Sequence, residues 1–305
     1  MKEIKKVIIC GLGAVGSIYA EKIQNYAQAE LKILVDKARL NKYTQNPLVM
    51  NGRKLFFDYV LPECTDFKAD LVIIATKFDG LFAVIDNLNN FVKDDTIILS
   101  LLNGVTSEEI IAQRYGWDKI LLSYFICPGA VRTGRNVVQD GSGKIVFGAH
   151  NQIGISRQNL VRDFFDKANI RYEIPSDIEY SMWLKYMLNV STNQPTAVLN
   201  LTFGEMFKSK AFIEYNNGLM KEVQAVAKAK GINNTDKMIE DALLALKTMN
   251  PECKTSMLQD VLAKRKTEIE IFADTMIKFG IEYNIPTPYN RLMKEKIEFI
   301  QANYQ

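Results

Sequence analysis

Apolar residues come first in short unbroken runs and then, past the middle of the chain, in long stretches spaced three and four apart. Val7-Ile8-Ile9-Cys10, Leu31 to Val35, Asp70 to Lys77 and Thr96 to Leu101 are of strand length and apolar on both faces, which predicts a parallel sheet covered on both sides. Helical stretches follow these runs: after Gly16 to about Tyr26, then Arg39 to Gln45, Leu81 to Leu88, and Glu108 to Arg114. Strand and helix in alternation define an α/β pattern. Asn51-Gly52, between Leu48-Val49-Met50 and Leu55-Phe56-Phe57, predicts a hairpin standing off the main sheet. The helix at Glu108 leads to Ile120-Leu121-Leu122, and the glycine-rich stretch Gly129 to Gly148, with Val137-Val138 and Lys144 to Phe147, predicts antiparallel strands at one sheet edge. A helix over Ile155 to Ala168 and a last strand at Arg171-Tyr172-Glu173 complete this part.

Pro175-Ser176-Asp177 marks the change, and the pattern beyond it is helical only: Ile178 to Leu199, Glu205 to Ala229, Asp236 to Leu246, Ser256 to Gly280, and Pro288 to about Asn303. Gly231 and Gly280 stand where helices should stop, Ser256 with Gln259 reads as a capping box, and Asn250-Pro251 breaks the chain. The expectation is an α/β Rossmann-type dinucleotide-binding domain over 1–175, followed by an all-α domain over 176–305.

Composition narrows the functions this fold could serve. A net charge of +3 from 38 basic and 35 acidic residues contains no basic block, which argues against nucleic acid or a membrane surface as partner. Cys10, Cys64, Cys127 and Cys253 are far apart and form no ligand cluster, which disfavours a zinc site and a disulfide framework and fits a cytoplasmic chain. The N-terminus has no signal-peptide core and no apolar run reaches about eighteen residues. The amphipathic helices fit either a core or a homodimer interface.

The chemistry starts at Gly11-Leu12-Gly13-Ala14-Val15-Gly16, placed between the first strand and the first helix. There the glycines permit a tight turn, a close approach of backbone to a pyrophosphate and packing of helix on strand, and the helix N-terminus offers unpaired N–H groups to an anion. Asp36, twenty residues past Gly16, is placed to accept from a ribose 2′-OH and favours NAD(H); Lys37, Arg39 and Lys42 could neutralise a 2′-phosphate and favour NADP(H). Lys77 and Asn103 follow the cores of two later strands, at the carboxyl ends where open α/β sheets bind ligands. Reduction of a carbonyl needs a proton source, and the chain's one histidine, His150, lies at the far end of the first domain and reads as a surface residue. Lysine is the next candidate. Lys185, Asn189 and Asn193 share one strip of an otherwise apolar helix, where the lysine either reaches solvent or, partly buried, acts as donor. Glu268, at i+7 from Val261 and i−4 from Phe272, falls in the apolar stripe of the helix from Ser256, where a carboxylate needs a partner; with a slight roll of that helix it pairs with Lys264 at the surface instead.

With these residues and Ser256-Met257-Leu258-Gln259-Asp260 followed by Thr267-Glu268-Ile269, the chain resembles the ketopantoate reductase family over essentially its whole length. The resemblance implies a helical domain like the C-terminal one of 6-phosphogluconate dehydrogenase and NADPH-dependent reduction of a small-molecule 2-keto acid, 2-dehydropantoate, to (R)-pantoate on the way to coenzyme A. It makes Lys185 the proton donor and Asn189, Asn193 and Ser256 the substrate-holding residues. Glu268 then lies beside cofactor and substrate, Lys77 contacts the cofactor, and Asn103 sits near the nicotinamide end and the substrate. The chain departs from the family in offering Asp36-Lys37 where a basic residue reads the 2′-phosphate, and Phe203 where a further substrate-binding asparagine stands. Other readings are reduction of another branched 2-keto acid and a catalytically silent nucleotide-sensing protein.

Overall fold

The computed structural model describes residues 3–126, 130–140 and 143–304. Close contacts divide it into two compact units, Met1–Ile178 and Glu179–Gln305. The first contains β1 (Lys6–Cys10), α1 (Ala14–Gln24), β2 (Glu30–Leu34), α2 (Lys37–Gln45), β3 (Leu48–Met50), β4 (Arg53–Leu55), β5 (Tyr59–Val60), β6 (Leu71–Ile74), α3 (Leu81–Asn87), β7 (Ile97–Ser100), α4 (Ser107–Tyr115), β8 (Ile120–Ile126), β9 (Val131–Thr133), β10 (Asn136–Val138), β11 (Lys144–Gly148), α5 (Gln152–Lys167) and β12 (Tyr172–Glu173).

Eight strands form one sheet in the order β12-β11-β8-β7-β6-β1-β2-β5. The six from β8 to β5 are parallel, and β11 with β12 runs opposite to them. The apolar runs are unbroken because both faces are covered. Val7, Ile9, Leu71 and Ile73 join one core with Ile18, Tyr19, Phe164 and Phe165, while Ile8, Cys10, Val72 and Ile74 join another with Leu81, Ile85 and Ile111. The chain moves outward from β1 to β2 on one side and returns to β6 on the other. The sheet therefore has its topological switch beside β1.

A second sheet has the order β4-β3-β10-β9. Asn51 (φ 46°) and Gly52 (φ 82°) turn the β3–β4 hairpin as expected. Val137-Val138 departs from expectation: β10 pairs parallel with β3 instead of lying at the edge of the main sheet. Asn51 explains the capture, since its N–H donates to Val137 O, its Nδ2 donates to Gln139 O at 3.0 Å and its Oδ1 accepts from Gln139 N at 3.0 Å. Lys144 to Phe147 does pair antiparallel with β8 in the main sheet. Cys127, Gly129 and Gly141 lie outside the described residues.

The second unit is helical: α6 (Ile178–Leu199, begun by the last residue of the first unit), α7 (Phe203–Met206), α8 (Lys210–Ala229), α9 (Met238–Leu246), α10 (Ser256–Leu262), a π-helical turn (Glu270–Asp274), α11 (Thr275–Glu282) and α12 (Pro288–Ala302). Two of the expected helices are divided. Ser209 caps α8 through Phe212 N, separating it from α7. The stretch from Ser256 stops at Leu262 because Lys264 turns left-handed (φ 50°) and the next segment starts only past Glu268. Gly280 does not end a helix but lies inside α11, where a Cβ would stand 2.7 Å from Ile285 O. The Ser256–Gln259 box is also absent: Thr255 is the N-cap, its hydroxyl accepting from Leu258 N, while Gln259 Nε2 donates to Lys254 O.

Pro195 sits within α6. Proline has no N–H, so the carbonyl of Ser191 four residues back has no helical donor. Asn216 of α8 replaces it, Nδ2 donating to Ser191 O at 3.0 Å. Tyr186 anchors the helix further up by donating to Phe272 O at 3.0 Å.

Candidate active site

The glycine turn is shaped by what its residues lack. Gly11 has φ +100°, and a Cβ there would lie 2.7 Å from Ala75 O, while a Cβ on Gly16 would lie 1.9 Å from Gly11 O. Gly13 is the N-cap of α1 and has no side chain to satisfy the first-turn N–H groups, which therefore face a ligand site. Leu12 is buried, Val15 packs on the core and half-buried Ala14 opens α1. This is a fit for the pyrophosphate of a dinucleotide. Lys77 is an exposed residue just past β6, and half-buried Asn103 follows β7 and precedes Gly104 (φ 96°). The glycine turn, Lys77 and Asn103 thus stand past the carboxyl ends of the adjacent strands β1, β6 and β7.

Asp36 follows β2 as expected, but both its carboxylate oxygens engage Arg39: Oδ1 accepts from Arg39 N at 2.6 Å and Oδ2 from Arg39 Nη1 at 2.7 Å. It caps α2, whose first residue, Lys37, is exposed. A guanidinium stands beside the carboxylate at the end of β2.

Sequence reading missed the polar cluster beneath the Asn103 loop. Ser107 donates to Glu108 Oε2 at 2.8 Å, so Ser100, 2.8 Å from Ser107 Oγ, is the donor of that pair. Burial pushes the Glu108 carboxyl up to about 7, with the Ser107 hydroxyl and backbone N–H bonds opposing the rise. Glu108 resembled an ordinary first-turn acid; nothing local in the sequence distinguished it.

In the second unit, α6 carries three predicted residues on one strip. Lys185 Nζ donates to Asn189 Oδ1 at 3.2 Å, Asn193 Nδ2 donates to the same oxygen at 3.3 Å, and Ser256 Oγ donates to Asn193 Oδ1 at 3.4 Å. The four side chains make one string. Desolvation lowers the Lys185 ammonium to about 8. Asn189 presents its oxygen inward to the string, leaving its own N–H groups and two of the ammonium protons for a ligand.

Ser256 is placed by a residue the sequence reading did not select. Thr196 Oγ1 donates to Thr192 O at 2.6 Å, so in its 2.8 Å bond with Thr255 the latter must donate. Thr255 thereby caps α10 and pins it to α6 one residue before Ser256. A second brace runs from Gln194, whose Nε2 donates to Asn290 Oδ1 at 3.3 Å; Asn290 Nδ2 donates in turn to Glu222 Oε2 at 2.7 Å. A threonine before a helix-starting serine is the one local signal that could have found Thr255.

Glu268 requires a correction. With no helix joining Val261 to Phe272, its assignment to an apolar helical stripe falls; it is a half-buried residue in the irregular segment before the π-helical turn. Phe203 opens α7, its N–H donating to Cys253 O at 3.1 Å. His150 is half-buried, with its ring 5.0 Å from that of Trp117. Among the described residues no His/Cys/Asp/Glu group could hold a metal, and no helix is long and apolar enough to cross a membrane.

A doubly covered parallel sheet with a glycine turn at its switch, in a chain that also carries a desolvated amine, defines an oxidoreductase of the Rossmann type. Within that class the chain belongs to the ketopantoate reductase family: residues 7–152 match the model "Ketopantoate reductase PanE/ApbA" and residues 177–301 its C-terminal counterpart. It is 28% identical over 311 residues to the 2-dehydropantoate 2-reductase of Nostoc sp., covering 98% of this chain and 96% of the relative. Among solved structures it shares the fold of D-mandelate dehydrogenase with NADH and anilino(oxo)acetate (TM-score 0.85, 23% identity, 97% and 98% of the two chains). It also shares the fold of a dimeric ketopantoate reductase from Staphylococcus aureus (TM-score 0.75, 21% identity, 98% and 99%).

Proposed function

We propose that this chain reduces 2-dehydropantoate to (R)-pantoate with NADPH in the cytoplasm, as a homodimer. Residues 1–175 serve the cofactor and 176–305 the substrate. The observation that carries the reading is the string Lys185–Asn189–Asn193–Ser256, which joins a desolvated amine to two amides on the following turns of α6 and a hydroxyl at the start of α10.

Gly11, Leu12, Gly13, Ala14, Val15 and Gly16 receive the pyrophosphate, with Lys77 and Asn103 contacting the cofactor farther along the same sheet edge and Asn103 also near the substrate. A bound nicotinamide supplies the hydride. Lys185 gives its proton to the carbonyl oxygen as negative charge develops there, and Asn189 Oδ1 accepts from Nζ and holds the amine in place. Asn189, Asn193 and Ser256 hold the substrate's hydroxyl and carboxylate, and Glu268 lies beside both ligands. At the adenosine end Asp36 and Lys37 contact the ribose. Because Arg39 neutralises Asp36, the carboxylate is a poor obstacle to a 2′-phosphate, which supports NADP(H) over NAD(H).

Steady-state oxidation of NADPH and of NADH with 2-dehydropantoate, and with branched and aryl 2-keto acids lacking its hydroxyl, tests this. The expected result is turnover fastest with NADPH and 2-dehydropantoate. Faster reduction of a hydroxyl-free acid would move the substrate to another 2-keto acid and make Phe203 the reason. Tight nucleotide binding without turnover on any of them would make the protein a nucleotide sensor.

A further inference from the structure

The glycine turn Gly11 to Gly16 carries no charged side chain, and the first turn of α1 has no basic residue. A pyrophosphate seated there would meet only backbone dipoles, together worth about half a positive charge. The structure brings a full charge to the place from elsewhere. Arg132, on β9 in the second sheet, donates through Nη1 to the carbonyl of Leu12, in the middle of the turn. Its Nε donates to Gly134 O at 2.8 Å, and Gly134 (φ 62°) closes the β9–β10 hairpin, so the guanidinium is fixed at both ends. Among the described residues no carboxylate pairs with it. A guanidinium has five N–H donors and these two bonds use two of them.

The remainder of the hairpin explains how an arginine 120 positions away comes to lie there. β10 is held to β3 by the Asn51 bonds, Val137 is buried in the core with Ile18 and Tyr19, and Arg53 of β4 pairs with Glu21 of α1 at 2.7 Å. The second sheet is thus tied to α1 along its length, and Arg132 is the side chain it delivers to the N-terminal end. Arg135 of the same hairpin is used otherwise, its guanidinium lying over the Tyr43 ring and donating to Pro47 O at 3.0 Å. The pairing of the two arginines with different jobs shows that the hairpin does not merely carry positive charge on its surface.

We infer that Arg132 is a cofactor-binding residue that neutralises the dinucleotide's pyrophosphate, contributing the charge which the glycine turn lacks. This rests on the dinucleotide reading above. Leu12 belongs to the turn at the end of β1 and not to the Asp36 region at the end of β2, which is why the pyrophosphate and not a 2′-phosphate is the group assigned.

The test is a titration of the full chain with NADPH, NADH, ADP-ribose and adenosine, for the wild type, R132Q and R132K. Loss of one charge-assisted contact raises Kd about 10- to 100-fold, and R132Q should show this equally for the three pyrophosphate ligands while adenosine is unchanged. The dependence of Kd on salt should flatten in R132Q, and R132K should recover part of the affinity. R132Q binding ADP-ribose as tightly as wild type overturns the inference. So does an equal loss for adenosine, which would mean that Arg132 only supports the loop, and so does a loss confined to NADPH, which would move it to the 2′-phosphate. Wild-type protein that binds none of the dinucleotides removes the cofactor reading itself, and the inference with it.

Discussion

The glycine turn after β1 and the polar strip on α6 both present hydrogen-bonding groups beside an apolar interior, and they do so with opposite materials. In the turn the donors are backbone N–H groups, exposed because Gly11, Gly13 and Gly16 have no side chains to obstruct or cap them. On α6 the backbone is already used by the helix, and the donors are side chains held in a string whose far end is fixed from another helix. A site made of backbone is specified by its own few residues. A site made of side chains depends on others behind it, here Thr196, Thr255, Asn216 and Asn290.

The contrast is tested most severely at Lys185. Lys185→Ala should lower kcat about 10²- to 10⁴-fold while the NADPH dissociation constant from fluorescence titration stays at the wild-type value. A comparable loss of cofactor affinity would show that the strip is not separable from the turn. Titration gives the next largest effect. Because reduction consumes the ammonium form, kcat/KM should be level below about 8 and then fall about tenfold per pH unit. The same lowered value means that the cost of burying the ammonium is present in full below about 8 and disappears as pH approaches the ordinary lysine value of 10.5. Lys185→Met should therefore be inactive yet melt higher than wild type at pH 7, with the gain shrinking in alkali.

In the turn one methyl group suffices. Gly16→Ala places a Cβ 1.9 Å from Gly11 O, so the turn must open, and denaturant unfolding should show a loss of about 1–3 kcal/mol together with weakened NADPH binding. Unchanged affinity in that variant would contradict the view that the turn works through bare backbone. The smallest effect expected is at the brace: Thr255→Ala removes a cap worth about 1 kcal/mol, and because Ser256 then loses its fixed place, KM for the keto acid should rise more than kcat falls.

The same difference decides what could be read from the amino-acid sequence. The sheet strands were legible because runs such as Val7 to Cys10 are apolar at every position, and α6 was placed at its observed limits, Ile178–Leu199, by a long helical stretch that follows the Pro175 break. The glycine turn was legible because its residues are contiguous. Periodicity did not reveal that Lys264 turns left-handed, which divides the helix after Ser256 and removes the helical argument for Glu268. Nor could it show that β10 would pair with β3, since that choice is made by the side chain of Asn51, 86 positions before Val137. Arg132 and Thr255 act through partners 120 and 59 positions away, which sequence distance conceals, whereas Glu108 bonds its own neighbour Ser107 and is set apart only by its burial.

The proline in α6 has a consequence for how the second unit comes together. Until α8 arrives with Asn216, the carbonyl of Ser191 can be satisfied only by water, so the lower turns of α6 cannot dry out ahead of that encounter. The two helices are thereby made to open and close as one cooperative piece, and in native-state hydrogen exchange the amides of α6 below Ser191 and those of α8 around Asn216 should share a single opening free energy.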